Sequence, residues 1–143
     1  FLGQPYRLQL FPGKRTRIKR VNEILELSSN LTEAAQLEGC LDRWYRDQAE
    51  RIFAYRQQCL IARHQITAPT ELKVRKMRAK WGSCSQSGLI TLNLWLITQD
   101  IRAIDYVILH ELCHLSHFNH TPDFYAHLAA LMPDWERRRD LLI

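Results

Sequence analysis

The chain has 143 residues, 46% of them apolar and 24% charged, which allows one sizeable core and leaves no room for two full-sized domains. That composition excludes wholesale disorder, and no run approaches the ~18–20 apolar residues of a membrane span. Lys and Arg total 20 against 15 Asp and Glu, a net charge of +5 that permits a nucleic-acid or phosphate partner without requiring one.

In residues 1–30 Tyr6, Leu8 and Leu10 alternate with Arg7 and Gln9, and Pro12-Gly13 supplies a turn. Two further short strands follow at 15–20 and 23–27. The expectation is an N-terminal antiparallel β meander with one polar face. Residues 31–143 then read as a long helix, a hairpin and further helices. Thr32 is the expected N-cap of the long helix, which runs to about His64 with Leu37, Leu41, Trp44, Ile52, Cys59 and Leu60 at helical spacing and Gly39 as a possible kink. Leu72 to Leu96 reads as a β hairpin. Its alternation slips by one residue after Val74, which predicts a β-bulge near Arg75-Lys76, and Gly82 to Gly88 reads as its loop. Asp100 can cap a helix from Ile101 to about Phe118. Thr121-Pro122 has the N-cap and first-turn chemistry of another, and Pro133 opens a last one. Strands segregated from helices in this way give an α+β class in one domain, 1–143.

Four of the chain's six histidines fall within His110–His120. His110-Glu111-Leu112-Cys113-His114 has the H-E-x-x-H spacing of a zinc helix. Two His four apart point the same way, one turn apart, so both can reach ~2.0–2.1 Å from one Zn²⁺. Glu111 sits beside them and can accept a proton from water that the metal activates. Ile104, Ile108, Leu112 and Leu115 form an apolar stripe on the opposite side of the same helix. A catalytic zinc normally has three protein ligands. On a straight helix His117 would lie about 10 Å along the axis from His110, too far for one ion. His120 is the better third ligand if the helix ends near Phe118-Asn119 and Asn119 reverses the chain in the left-handed conformation. Glu136 is the distant alternative.

Beyond that motif, Arg78-Ala-Lys-Trp-Gly-Ser-Cys-Ser85, Leu92-Asn93, the run from Asp105 to Leu115, Asn119-His-Thr-Pro-Asp-Phe124 and Met132-Pro-Asp-Trp135 resemble the YgjP-like metallopeptidase family. The opening Phe1-Leu-Gly-Gln-Pro-Tyr6 resembles that family's first strand, and SprT and Wss-type proteases resemble it more distantly through the histidine helix. The resemblance implies a zincin-like fold and a zinc-dependent hydrolase, with His110, His114 and His120 as metal ligands and Glu111 as the catalytic residue. Nucleotide pyrophosphatase activity has also been proposed for some members.

The primary expectation is therefore a peptidase that uses Zn²⁺ on a peptide or protein substrate. The alternatives are a metal-dependent nucleotide phosphohydrolase, or a nucleic-acid-binding module with structural zinc. Either would use Lys73, Arg75, Arg78 and Lys80, which otherwise read as a solvated strand face. Trp81-Gly-Ser-Cys-Ser85 reads either as a turn or as the edge of a substrate cleft. Asp105 and Asp123 are candidates to orient a ligand His, and Asn93 and Tyr106 to polarise substrate. Cys84 lacks a separate base for nucleophilic work, and Cys113 falls off the ligand azimuth. His64 and His127 read as surface or packing residues. Cys40, Cys59, Cys84 and Cys113 have no C-x-x-C pairing, and no leader-like segment opens the chain; both fit a cytoplasmic protein with no membrane partner.

Overall fold

The two β regions fold by the same rule. In the computed structural model, which describes residues 1–143, β1 (Arg7–Pro12), β2 (Arg17–Val21) and β3 (Ile24–Ser29) form one three-stranded sheet in the order β1-β3-β2. β4 (Glu71–Arg75), β5 (Gly82–Cys84) and β6 (Leu89–Asn93) form a second in the order β4-β6-β5. In each sheet the last strand lies in the centre, parallel to the first and antiparallel to the second. The expected N-terminal antiparallel meander is corrected on this point, since β1 and β3 run parallel. The reason is burial. β3 carries the buried Leu25 and Leu27, and β6 the buried Ile90 and Leu92, whereas β1 and β2 carry no fully buried residue. The most buried strand, not the one richest in apolar residues, takes the position with neighbours on both sides, and Leu8, Leu10 and Phe11 of β1 stay exposed. Asn22, at φ +53°, makes the tight turn between β2 and β3. Residues 1–6 form a turn rather than a strand. The chain start is held by Leu2 and Gly3, whose N–H groups donate to the carbonyls of Ile97 and Thr98, both at 2.8 Å.

The long helix, α1 (Ala34–His64), begins after Glu33 rather than at a Thr32 cap, and runs through Gly39 without a break. It buries Cys40, Ala49, Phe53, Gln57 and Leu60. The Leu72–Leu96 hairpin is corrected as well. β4 stops at Arg75, and residues 76–81 leave the sheet as a loop instead of continuing through a bulge. Asn93 holds that loop: its Oδ1 accepts from Met77 N at 3.3 Å, and its Nδ2 donates to the carbonyls of Met77 at 3.0 Å and Lys80 at 2.8 Å. A satisfied, buried amide of this kind fixes a loop. The true hairpin is β5–β6, so Gly82 to Cys84 is strand, not loop. After Asn93 the chain forms a short 3₁₀ helix, Leu94–Thr98, which buries Leu94, Leu96 and Ile97.

α2 (Ile101–Cys113), α3 (Pro122–Leu131) and α4 (Trp135–Arg139) complete an α+β architecture. α2 is the central element. It buries Ile104, Ile108, Leu109 and Leu112 completely, in one core with Phe53 of α1, Ile90 and Leu92 of β6, and Phe124 and Leu128 of α3. Each such side chain contributes about 1.5–3 kcal/mol of transfer free energy. Arg56 of α1 grips Asp105 of α2 through two hydrogen bonds of 2.8 and 2.6 Å, a forked pairing that fixes the register of the two helices.

Candidate metal centre

The histidine cluster is built by the way α2 ends. Asp100 caps its start, with Oδ1 accepting from Arg102 N at 2.8 Å. The Arg102 side chain and backbone N–H hold the Asp100 carboxyl at about 2, well below its ordinary value. At the other end the helix stops at Cys113 with His114 as its cap, about one turn earlier than the sequence suggests. The N–H groups of His114, Leu115 and Ser116 then donate to carbonyls three residues back, which tightens the chain into a 3₁₀-type turn. Asn119 is not in the left-handed region; this tight turn makes the reversal instead. Thr121 caps α3 by accepting from Phe124 N at 3.4 Å. His120, next to that cap, is thereby brought back toward α2.

The rings of His110, His114 and His120 form a near-equilateral triangle, with centroids 5.0, 5.1 and 4.7 Å apart. One donor atom from each lies within 4.8 Å of the others. A tetrahedral ion at 2.0–2.1 Å from each nitrogen needs donors about 3.3 Å apart, within reach of small ring rotations. Phe124, fully buried, is the common floor. It stacks on His114 at 4.5 Å and 25°, and meets His110 and His120 edge-on, both at 5.0 Å. His114 Nδ1 donates to the His117 carbonyl at 3.1 Å, which leaves Nε2 with a free lone pair. His110 Nδ1 lies 3.1 Å from Glu111 Oε1, an arrangement with the same consequence for that ring. Burial first, and then the neighbouring His110 and His114, push the His120 imidazole toward its neutral form, the form a cation binds. The donor set fits a borderline-soft divalent ion such as Zn²⁺.

Glu111 is only 5% exposed although it is a carboxylate. A Cβ on Gly82 of β5 would come within 3.1 Å of Glu111 Cγ, so the strand packs directly against the acid. A cavity of about 490 Å³ opens over this group, with Trp81, Gly82 and Cys84 on one side and Tyr106, Arg139 and Leu142 on the other. The cleft reading of Trp81 to Ser85 therefore holds for Trp81, Gly82, Ser83 and Cys84. The Tyr106 ring is buried and stacks on Trp135 at 6.2 Å, on the wall of this cavity.

Several candidate residues lie elsewhere. Asp105 is engaged by Arg56, and Asp123 is exposed in the first turn of α3 without a hydrogen bond to any of the three imidazoles. Asn93 clamps the 76–81 loop. His117 contributes its carbonyl rather than its ring, which instead meets His127 at 5.3 Å. Glu136 lies on α4 outside the cluster, and His64 ends α1 in a separate cavity. Lys73 and Arg75 lie on β4, the sheet edge remote from β5, and of the four basic residues only Lys80 lines the cleft. Burial pushes the Cys113 thiol up to about 12, and burial together with Glu111 raises that of Cys84, so neither is a ready thiolate. Sequence reasoning missed Phe124 and Arg139. Phe124 carried a signal, being the apolar residue in the first turn of the helix that His120 precedes.

No curated protein matches the chain at a significant level. Among solved structures it is similar to the metallopeptidase zymogen of Pyrococcus abyssi abylysin. The TM-score is 0.56 at 18% identity, covering 62% of this chain and 89% of that one. It is also similar to the metallopeptidase zymogen of Methanocaldococcus jannaschii jannalysin, with a TM-score of 0.52 at 21% identity over 60% of this chain and 82% of that one. At these identities the likeness is one of fold. A family model adds the sequence to that likeness: the YgjP-like metallopeptidase domain matches residues 1–143, and the chain belongs to this family of hydrolases.

Proposed function

We propose that the protein is a zinc-dependent peptidase in which His110, His114 and His120 hold Zn²⁺ and Glu111 is the general base. The observation that carries this reading is the convergence of the three imidazoles beside a buried carboxylate at the floor of an open cleft. When bound, Zn²⁺ supplies Lewis acidity, which acidifies water toward ~7 and polarises a carbonyl. Glu111 accepts a proton from the attacking water and later delivers it to the leaving amine nitrogen. Tyr106, on the cleft wall, donates its hydroxyl to a substrate oxygen. The free edge of β5 borders the cleft, where an extended peptide can add as a further strand.

A nucleotide phosphohydrolase is not favoured, because most of the basic residues that would grip phosphates lie away from the cleft. The free state of all four cysteines supports a reducing, cytoplasmic setting, and no helix is long and apolar enough to cross a membrane. The match over 1–143 and the docking of the chain start against the 3₁₀ helix support a single domain.

The test is Glu111→Gln assayed on casein and on quenched peptides, with a chelator control and nucleoside triphosphates in parallel. Loss of turnover by 10²-fold or more, with metal content unchanged, is the expected result. Retained peptide hydrolysis in that variant overturns the assignment of Glu111, and chelator-sensitive release of phosphate without peptide cleavage overturns the substrate.

A further inference from the structure

The cleft has two lobes that differ in charge. The first is the cavity of about 490 Å³ over Glu111, and the second, of about 580 Å³, shares His114 and Phe118 with it. The second lobe carries no Lys, Arg, Asp or Glu, and its polar wall includes Thr67, Thr70, Ser85, Gln86, Ser87 and Asn119. In the first lobe, apart from the imidazoles, the charged groups are Lys80, Arg139 and Glu111. Glu111 is buried and faces His110, whereas Lys80 and Arg139 are exposed on the wall of the lobe.

Both cations are anchored at the backbone or ring yet keep donors free. Arg139 lies over the Trp135 ring at 5.2 Å, and its one acid partner, Asp140, takes its N–H groups on a single oxygen at 3.2 and 3.1 Å. Other N–H groups of the fork stay open. The Lys80 carbonyl is clamped by Asn93, and its ammonium has no salt-bridge partner, unlike that of Lys76, which pairs with Asp42 at 3.1 Å. Two lobes meeting at the histidine cluster suit an extended chain, not a compact anion.

We infer that the cleft selects peptides carrying a carboxylate side chain next to the scissile bond, held in the first lobe by Arg139 and Lys80, with a neutral polar residue in the second. This inference rests on the peptidase reading above.

The experiment uses one internally quenched peptide sequence with Glu, Gln or Lys at each position flanking the scissile bond, and the zinc-loaded protein. We expect kcat/KM to favour Glu over Gln by roughly 5- to 10-fold, with Lys lowest. Charge reversal by Arg139→Glu with Lys80→Glu should turn the preference toward Lys. Should that pair of substitutions fail to fold, Arg139→Gln, which removes the charge and keeps a polar side chain, should by itself erode the Glu preference. Binding is read separately, by fluorescence anisotropy on Glu111→Gln, where the Glu peptide should bind most tightly and weaken with salt. Equal kcat/KM and equal Kd for the three peptides overturn the charge selection and leave the peptidase reading standing. Absence of any cleavage, with the Glu peptide still bound most tightly, overturns the peptidase reading and keeps the selection.

Discussion

Gly82→Ala isolates the contact between β5 and Glu111. The added methyl would meet Glu111 Cγ and Leu92 Cδ2, both at 3.1 Å, and the Thr91 carbonyl oxygen at 3.3 Å. Ordinary carbon contacts are about 3.5–4.0 Å, so something must move by a few tenths of an ångström. The Thr91 carbonyl lies in the central strand β6, and Leu92 is fully buried. The carboxylate or β5 must therefore give way. Overpacking of this size costs about 1–2 kcal/mol. With an unfolding entropy of about 0.3 kcal/mol/K for a chain of this length, the melting temperature should fall by about 3–7 °C. Displacement of the acid should lower kcat/KM by ~10-fold, since about 1 Å of misplacement can cost 10²-fold. Gly39→Ala is the control. Its methyl would meet only Arg43 Nη1, at 3.7 Å, inside a helix, so it should stabilise by about 0.5–1 kcal/mol and leave activity alone. Calorimetry and peptide hydrolysis read both variants. If Gly82→Ala keeps full activity and its melting temperature, close packing by β5 is not what positions Glu111.

Two further outcomes separate scaffold from site. Asp105→Asn breaks the forked pair with Arg56 and should cost about 1–3 kcal/mol in denaturant titration while zinc affinity stays unchanged; a tenfold loss of affinity would return Asp105 to the metal's surroundings. Asp100→Asn keeps a capping side chain on α2 but removes its charge. The Asp100 carboxyl is held at about 2 against an ordinary 3.8, so the unfolded chain takes up the proton first as the pH falls. Its contribution is present above about 3.8 and lost as the pH falls through about 2. The stability gap between native protein and variant should close over that window; a gap independent of pH contradicts the role of the charge.

The helical parts of this fold are readable because each carries local chemistry. Asp100 and Thr121 announce their helices, and His110, Glu111 and His114 need only the helical repeat to converge. Topology is a different matter. Alternation in β1 to β3 marks a face but not an order, and the burial of Leu25 and Leu27 decides which strand is central. The repeat from Leu72 to Trp81 imitates one bulged strand, because only Asn93, distant in sequence, shows that the second half is a loop. The sequence brings His120 back through an expected turn at Asn119, whereas a tighter turn at His114 to His117 delivers it. Arg139 gave no signal, since three consecutive arginines at 137–139 look alike until the stacking on Trp135 singles one out.

The central claim is that three imidazoles share one ion. X-ray absorption at the zinc edge, on protein loaded with one equivalent, reads this directly. Three nitrogen scatterers with imidazole multiple scattering at ~2.0–2.1 Å and one oxygen are expected, falling to two imidazoles in His120→Ala. An unchanged spectrum in His120→Ala, or a native site with fewer than three imidazoles, contradicts the account.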